Sequence, residues 1–148
     1  MERVELTEKN LSKLRELVKR NSGKEIIFSS DDDELNRKVL EKIPIKILLI
    51  KLSGRKDFMK QRNSGLNEVI AKIAKKNSIS IGINLDEIIL SNETEKKKII
   101  SRLKQNIKIC ARNKVEMVFI QEEEKRNPVL LKSLGLVLGM PTWMTKNL

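Results

Sequence analysis

The side chains able to do chemistry in this sequence are carboxylates, amines and guanidinium groups. Histidine and tyrosine are absent, and Cys110 is the one cysteine. Imidazole is the commonest metal ligand and general base, so an enzyme built from this chain would rest on carboxylates and lysine alone. The acidic residues that suggest a metal-dependent phosphoesterase are Asp31, Asp32 and Asp33, with Asp86 and Glu122 as further ligands. The triplet, however, stands directly before Leu35, Val39, Leu40 and Ile43 at helical spacing. Acidic side chains at that place cap a helix and complement its dipole, and this is the preferred reading. Cys110 cannot form an internal disulfide or build a cysteine zinc site, and it shares a helix face with Ile99, Ile100, Leu103 and Ile107, which makes it a core residue.

The cations carry the stronger signal. Lys and Arg number 31 against 20 Asp and Glu, a net charge of +11 with a pI near 9.8, which implies a polyanionic partner. Twenty-two of the 31 are lysine, better suited to neutralising phosphates as point charges than to bidentate reading of base edges. Between Lys51 and Lys76 there are eight cations and two anions, an excess of six in one short stretch. Within it, Lys51, Arg55, Lys56, Lys60 and Arg62 fall in a polar loop, and Lys72 in the helix that follows. Arg62-Asn63-Ser64-Gly65 leads into that helix, whose first amides lack intrahelical partners and can cradle an anion, with Ser64 as cap or donor. Arg37, near the start of the preceding helix, is a further candidate, and Lys96-Lys97-Lys98 reads as a solvated helix face. Four aromatic residues in all, Phe28, Phe58, Phe119 and Trp143, are too few for a platform that stacks several splayed bases. A membrane surface is a poorer partner, because no helix pairs a basic face with a wide apolar one bearing Trp or Phe.

Positioning these residues requires an alternating chain. Leu11, Leu14, Leu17 and Val18 predict a helix over Thr7–Asn21, stopped near Gly23. Lys24–Ser29 reads as a strand, a helix follows the Asp triplet up to Pro44, and Ile45–Leu52 is an apolar run of the kind found in parallel strands buried on both faces. A helix is predicted from about Ser64 to Asn77, a strand over Ile79–Leu85, and a long helix to Asn113 with Asn92 and Glu95 at capping-box spacing. Val115–Ile120 is the next strand, before the acidic tract Glu122–Glu124. Pro128 opens a short helix to about Leu134, Gly135–Met140 reads as the last strand, and the tail from Pro141 has no pattern. Arg3–Leu6 is a weaker sixth strand. Alternation of this kind predicts a single α/β domain over residues 1–148 with a parallel sheet, too small for a complete eight-stranded barrel and therefore a partial, TIM-barrel-like one. There is no apolar run of roughly 20 residues, and Met1-Glu2-Arg3-Val4-Glu5 lacks an apolar leader core. With the lone cysteine, this sets the expectation of a cytoplasmic protein.

From Glu34 to Met140, about seven tenths of the chain, the order of features resembles the archaeal and eukaryotic ribonuclease P protein component 3 family. Arg62-Asn63-Ser64-Gly65-Leu66-Asn67-Glu68-Val69-Ile70-Ala71-Lys72 is similar to the family's basic loop and following helix. Glu34-Leu35-Asn36-Arg37, Ile81-Gly82-Ile83-Asn84-Leu85 and Ser133-Leu134-Gly135-Leu136-Val137-Leu138-Gly139-Met140 match three further blocks in the same order. Family members are longer, with another strand–helix unit before this region, and many carry Arg-Pro where this chain has Asp86-Glu87. The resemblance implies a non-catalytic RNA-binding subunit of ribonuclease P, supporting 5′ maturation of precursor tRNA by the catalytic RNA. It implies no cofactor in the protein and magnesium on the RNA. The implied partners are ribonuclease P RNA, precursor tRNA indirectly, and a small ferredoxin-like protein subunit in a heterotetramer. The resemblance strengthens the RNA-binding reading of the residues taken from the charge pattern, Arg37, Lys51, Arg55, Lys56, Lys60, Arg62, Asn63, Ser64 and Lys72, acting by phosphate neutralisation and counterion release. The alternatives are the phosphoesterase, akin to polymerase-and-histidinol-phosphatase barrels, and a basic protein-interaction module.

Overall fold

A computed structural model describes every residue except 1, 123, 124 and 147, so Glu123 and Glu124 of the acidic tract lie outside the described residues. The strands are β1 (Arg3–Leu6), β2 (Glu25–Ser29), β3 (Ile47–Leu49), β4 (Ser80–Asn84) and β5 (Met117–Ile120). The helices are α1 (Leu11–Arg20), α2 (Asp33–Lys42), α3 (Glu68–Lys76), α4 (Leu85–Leu90), α5 (Glu93–Asn113), α6 (Pro128–Leu138) and α7 (Thr142–Thr145). All four strand pairs are parallel and the sheet order is β1-β2-β3-β4-β5. Strands that neighbour in sequence therefore neighbour in space, as in a barrel wound in one direction.

Side-chain alternation assigns the two faces. Ile26, Phe28, Leu48, Ile50, Ile81, Ile83, Met117 and Phe119 point outward into the main core, which the helices cover with Leu14, Val39, Leu40, Ala71, Ala74, Ile99, Leu103, Ile107 and Cys110. Ile27, Ile47, Leu49 and Ile120 form a small second cluster on the inner face. The sheet is curled around that cluster. A Cβ on Gly82 would stand 2.9 Å from Ile47 Cγ2 and 3.3 Å from Ile120 Cγ1, so only glycine lets the inner face close this tightly. Glu5 of β1 and Glu122, just past β5, line one cleft, their carboxyls near enough for Glu122 to raise the Glu5 pKa, although β1 and β5 share no ladder. The partial, TIM-barrel-like α/β fold anticipated from alternation is thus the observed one.

Local chemistry explains most helix starts. Asn10, Asp32, Asn67, Asn84, Asn92 and Asn127 each accept a hydrogen bond from an amide in the first turn of α1 to α6. Asp32 takes both the Glu34 and Leu35 amides, which is the capping role read from the Asp triplet. Arg3–Leu6, the weaker of the expected strands, is a full member of the sheet. Three expectations need correction. Gly135–Met140 is not a strand: α6 runs on to Leu138 because Leu131, Gly135 and Leu138 form one buried helical stripe, and Gly139 ends it. The tail contains α7, and a short α4 separates β4 from α5.

Two outcomes are expected. Burial alone pushes the Cys110 thiol up to about 12, so thiol titration with a disulfide reagent should find no reactive group in native protein and one after denaturation. Desolvation first, then the neighbouring Glu122 carboxylate, raise the Glu5 carboxyl above its ordinary 4.5. Its contribution to stability is therefore complete below that value and lost as pH rises through the raised pKa. Glu5→Gln should melt higher than the parent at neutral pH, with the gap closing as the pH falls below 4.5.

Candidate nucleic-acid interface

β3 ends at Leu49, and the chain does not return to helix until Glu68. The intervening loop sits at the carboxyl ends of the strands, the end where α/β folds place their ligands. It is pinned by polar contacts because it contains only a few buried apolar residues, among them Ile50, Leu52 and Leu66. Arg102 of α5, 1 % exposed, donates to the carbonyls of Leu52 (2.8 Å) and Arg55 (2.7 Å) and to Asp57 (3.2 Å), with Glu95 at 3.7 Å. Glu87 of α4 accepts from the amides of Leu52 and Ser53, and Glu95 from that of Gly54. Gln105 donates to the Arg62 carbonyl and Asn106 to that of Ser64. The far end of the loop is closed by the Asn63 amide donating to Asp57 (2.8 Å). That amide, then the Arg102 guanidinium, hold the Asp57 carboxyl below its ordinary value.

This framework sorts the residues proposed from sequence. Lys56, Lys60 and Arg62 are exposed and make no ion pair among the described residues. Lys51 is exposed beside Asp31 at 3.8 Å, a loose surface pair. Lys72 is exposed on α3, one turn after Glu68. Arg37 faces solvent on α2 and pairs with Glu41. Arg55 differs: its side chain is 10 % exposed and its fork is bidentate on Asp33 at 2.9 and 3.0 Å, with further bonds to Asn63 and the Lys51 carbonyl. It shapes the loop with most of its donors already used. Gly65, at φ +75°, leaves the space this guanidinium occupies, since a Cβ there would come within 2.6 Å of Arg55 Nη2.

Asn63 and Ser64 are also internal. Asn63 bridges Arg55 and the Lys56 carbonyl, and Ser64 is buried against Gln105 and the Leu66 carbonyl. The expectation that Ser64 caps the helix is corrected: α3 begins four residues later, where Asn67 accepts from the Ile70 amide, because Gly65 turns the chain first. The charge excess of Lys51–Lys76 is likewise split. α3 runs back along the sheet, so Lys75 lines a cleft of about 320 Å3 at the opposite end, with Lys46, Lys114 and Trp143.

The acids of the phosphoesterase alternative are dispersed into other work. Asp32 caps α2, Asp33 holds Arg55, and Asp86 accepts from the Glu122 amide. Among the described residues no cluster of three or more potential metal-ligating side chains is found. Sequence reasoning overlooked Arg102, Gln105 and Asn106, and took Glu95 only as a capping-box residue and Glu87 only as a departure from the family pattern. A signal was present for two of them: Arg102 and Asn106 fall on the stripe of α5 that buries Ile99, Leu103 and Cys110, where a polar side chain must have a partner.

No family model matches the chain. Among curated proteins it is similar to ribonuclease P protein component 3 of Methanosarcina acetivorans, 32 % identical over 143 residues, covering 93 % of this chain and 57 % of the relative. The same protein of Methanosarcina mazei is 31 % identical with the same coverage. That of Methanococcus maripaludis is 26 % identical over 109 residues, 72 % of this chain and 44 % of the relative. Among solved structures, a chain in a cryo-EM structure of archaeal ribonuclease P with mature tRNA superposes with a TM-score of 0.80 at 23 % identity, covering 97 % of this chain and 62 % of that one. At that identity the superposition speaks for the fold. The chain spans about half the length of the curated relatives it matches. With 93 % of the chain aligned at 32 % identity to the Methanosarcina acetivorans protein, it belongs to the ribonuclease P protein component 3 family.

Proposed function

We propose that this chain is a non-catalytic, RNA-binding protein subunit of ribonuclease P, supporting RNA-catalysed 5′ maturation of precursor tRNA by stabilising the catalytic RNA through phosphate contacts. The observation that carries the reading is a loop with Lys56, Lys60 and Arg62 exposed and outside any ion pair among the described residues, on a base that Arg102 and three carboxylates, Asp57, Glu87 and Glu95, fasten by hydrogen bonds and ion pairs. Preorganised cations bind phosphates without first paying to order the loop, and each phosphate neutralised releases counterions. Lys51, Lys72 and Arg37 extend the cationic surface, whereas Arg55, Asn63 and Ser64 fix the loop's shape. Bond cleavage belongs to the RNA and its magnesium ions in this reading, and the protein needs no cofactor. A small ferredoxin-like subunit, assembled with it in a heterotetramer, is the protein partner the family suggests, and the cytoplasm is the proposed location. No helix among the described residues is long and apolar enough to cross a membrane.

Sequencing of RNA that co-purifies with the tagged protein should return ribonuclease P RNA; its absence at moderate salt would favour the protein-interaction alternative. Replacing Lys56, Lys60 and Arg62 together by alanine should flatten the plot of log affinity against log salt by roughly 2 to 3. An unchanged slope in that titration would remove the loop from the interface. Arg102→Met takes the buried guanidinium from the Leu52 and Arg55 carbonyls and leaves Asp57 with the Asn63 amide alone, so urea unfolding should show a loss on the order of 3 kcal/mol. RNA affinity should fall with it, and Arg102→Lys should not restore either property, because one ammonium cannot reach both carbonyls and the carboxylate.

A further inference from the structure

Three of the four aromatic side chains are part of the packed interior: Phe28 and Phe119 are buried in the sheet, and Trp143 packs half-buried against the core. Phe58 is the exception. It is 62 % exposed, and Met59 beside it is fully exposed. Isolated apolar residues at a surface are ordinary. These two, however, are adjacent at the tip of the most cationic loop, between Lys56 and Lys60 and just before Arg62. The tip is not slack: the Phe58 amide donates to the Gln61 carbonyl at 2.9 Å, and Asp57 and Asn63 close its neck under the Arg102 anchor. A ring, a thioether and three cations are thus exposed together on a loop whose neck is closed by hydrogen bonds.

That combination matches one ligand chemistry closely. Phosphates need only cations, and an apolar protein surface would be disfavoured by three unpaired charges around so small a contact. An unpaired nucleobase offers a π-face for the ring with its own phosphates within reach of the flanking lysines and arginine. We propose that Phe58 is a stacking residue for an unpaired base of the bound RNA, with Met59 packing against the same base or its neighbour. One ring is not a platform for a run of splayed bases, so the contact reads a single unpaired position within an otherwise shape- and phosphate-recognised RNA. This inference rests on the RNA-binding reading and adds to it the chemical group that the loop tip contacts.

The test compares an RNA hairpin carrying an unpaired purine-rich internal loop with the same hairpin fully paired. Phe58→Ala should weaken binding to the first by roughly 5- to 100-fold, with the slope of log affinity against log salt unchanged, because stacking releases no counterions. Binding to the fully paired hairpin should be unaffected, and Phe58→Trp should restore affinity for the looped one. In a Phe58→Trp, Trp143→Phe protein, the single indole should be quenched by the looped RNA and not by the paired one. Melting temperature serves as the folding control, and an exposed side chain should leave it unchanged. Equal affinities of Phe58→Ala and parent for the looped RNA, or equal losses on both RNAs, would overturn the stacking role while leaving the phosphate contacts standing. If the parent binds neither RNA in a salt-dependent way, the RNA-binding reading falls, and the stacking role falls with it.

Discussion

Everything at the carboxyl end of this sheet depends on one buried guanidinium. Taking an arginine charge out of water costs several kcal/mol unless its donors are matched, and Arg102 matches them with two backbone carbonyls and two carboxylates. The carbonyls belong to Leu52 and Arg55, the carboxylates to Asp57 and Glu95, so the contacts fasten α5 to the first third of a loop that has little core of its own. Without that fastening the loop would have to be ordered by its ligand. With it, the protein presents cations whose geometry is already decided.

The same logic separates two populations of cation that look alike in sequence. Arg55 and Arg102 are spent inside, each with a planar fork matched to oxygen acceptors. Lys56, Lys60 and Arg62 are left outside and form no ion pair among the described residues, Arg62 being near enough to Asp57 to help hold that carboxyl low. Glu87 belongs to the internal set: it accepts from the amides at the start of the loop.

The curl of the sheet is set by small features. Five parallel strands wound in order would otherwise leave two distant edges. Gly82 lets Ile27, Ile47, Leu49 and Ile120 meet on the concave face, and Glu5 and Glu122 line one cleft. Because α3 runs antiparallel to the strands, the curled sheet also carries Lys75 to its other end, away from the loop that supplies most of the local charge.

Much was fixed by sequence. Alternating apolar runs and helical stripes predicted the parallel α/β winding and its partial barrel, since the periodicity of burial is local. Asp32 and Asn92 were legible as caps for the same reason, and Cys110 as core. Gly135–Met140 misled because a short apolar run between glycines suits a strand as well as a helix, and only the burial of Leu131, Gly135 and Leu138 on one side selected the helix. The net charge named a polyanion, and the Lys51–Arg62 stretch named the loop. Which of those cations face outward was decided in three dimensions alone. That choice turns on Asp33, Asp57 and Glu95 meeting Arg55 and Arg102 across sequence separations that no local pattern encodes, and on the exposure of Phe58 that results.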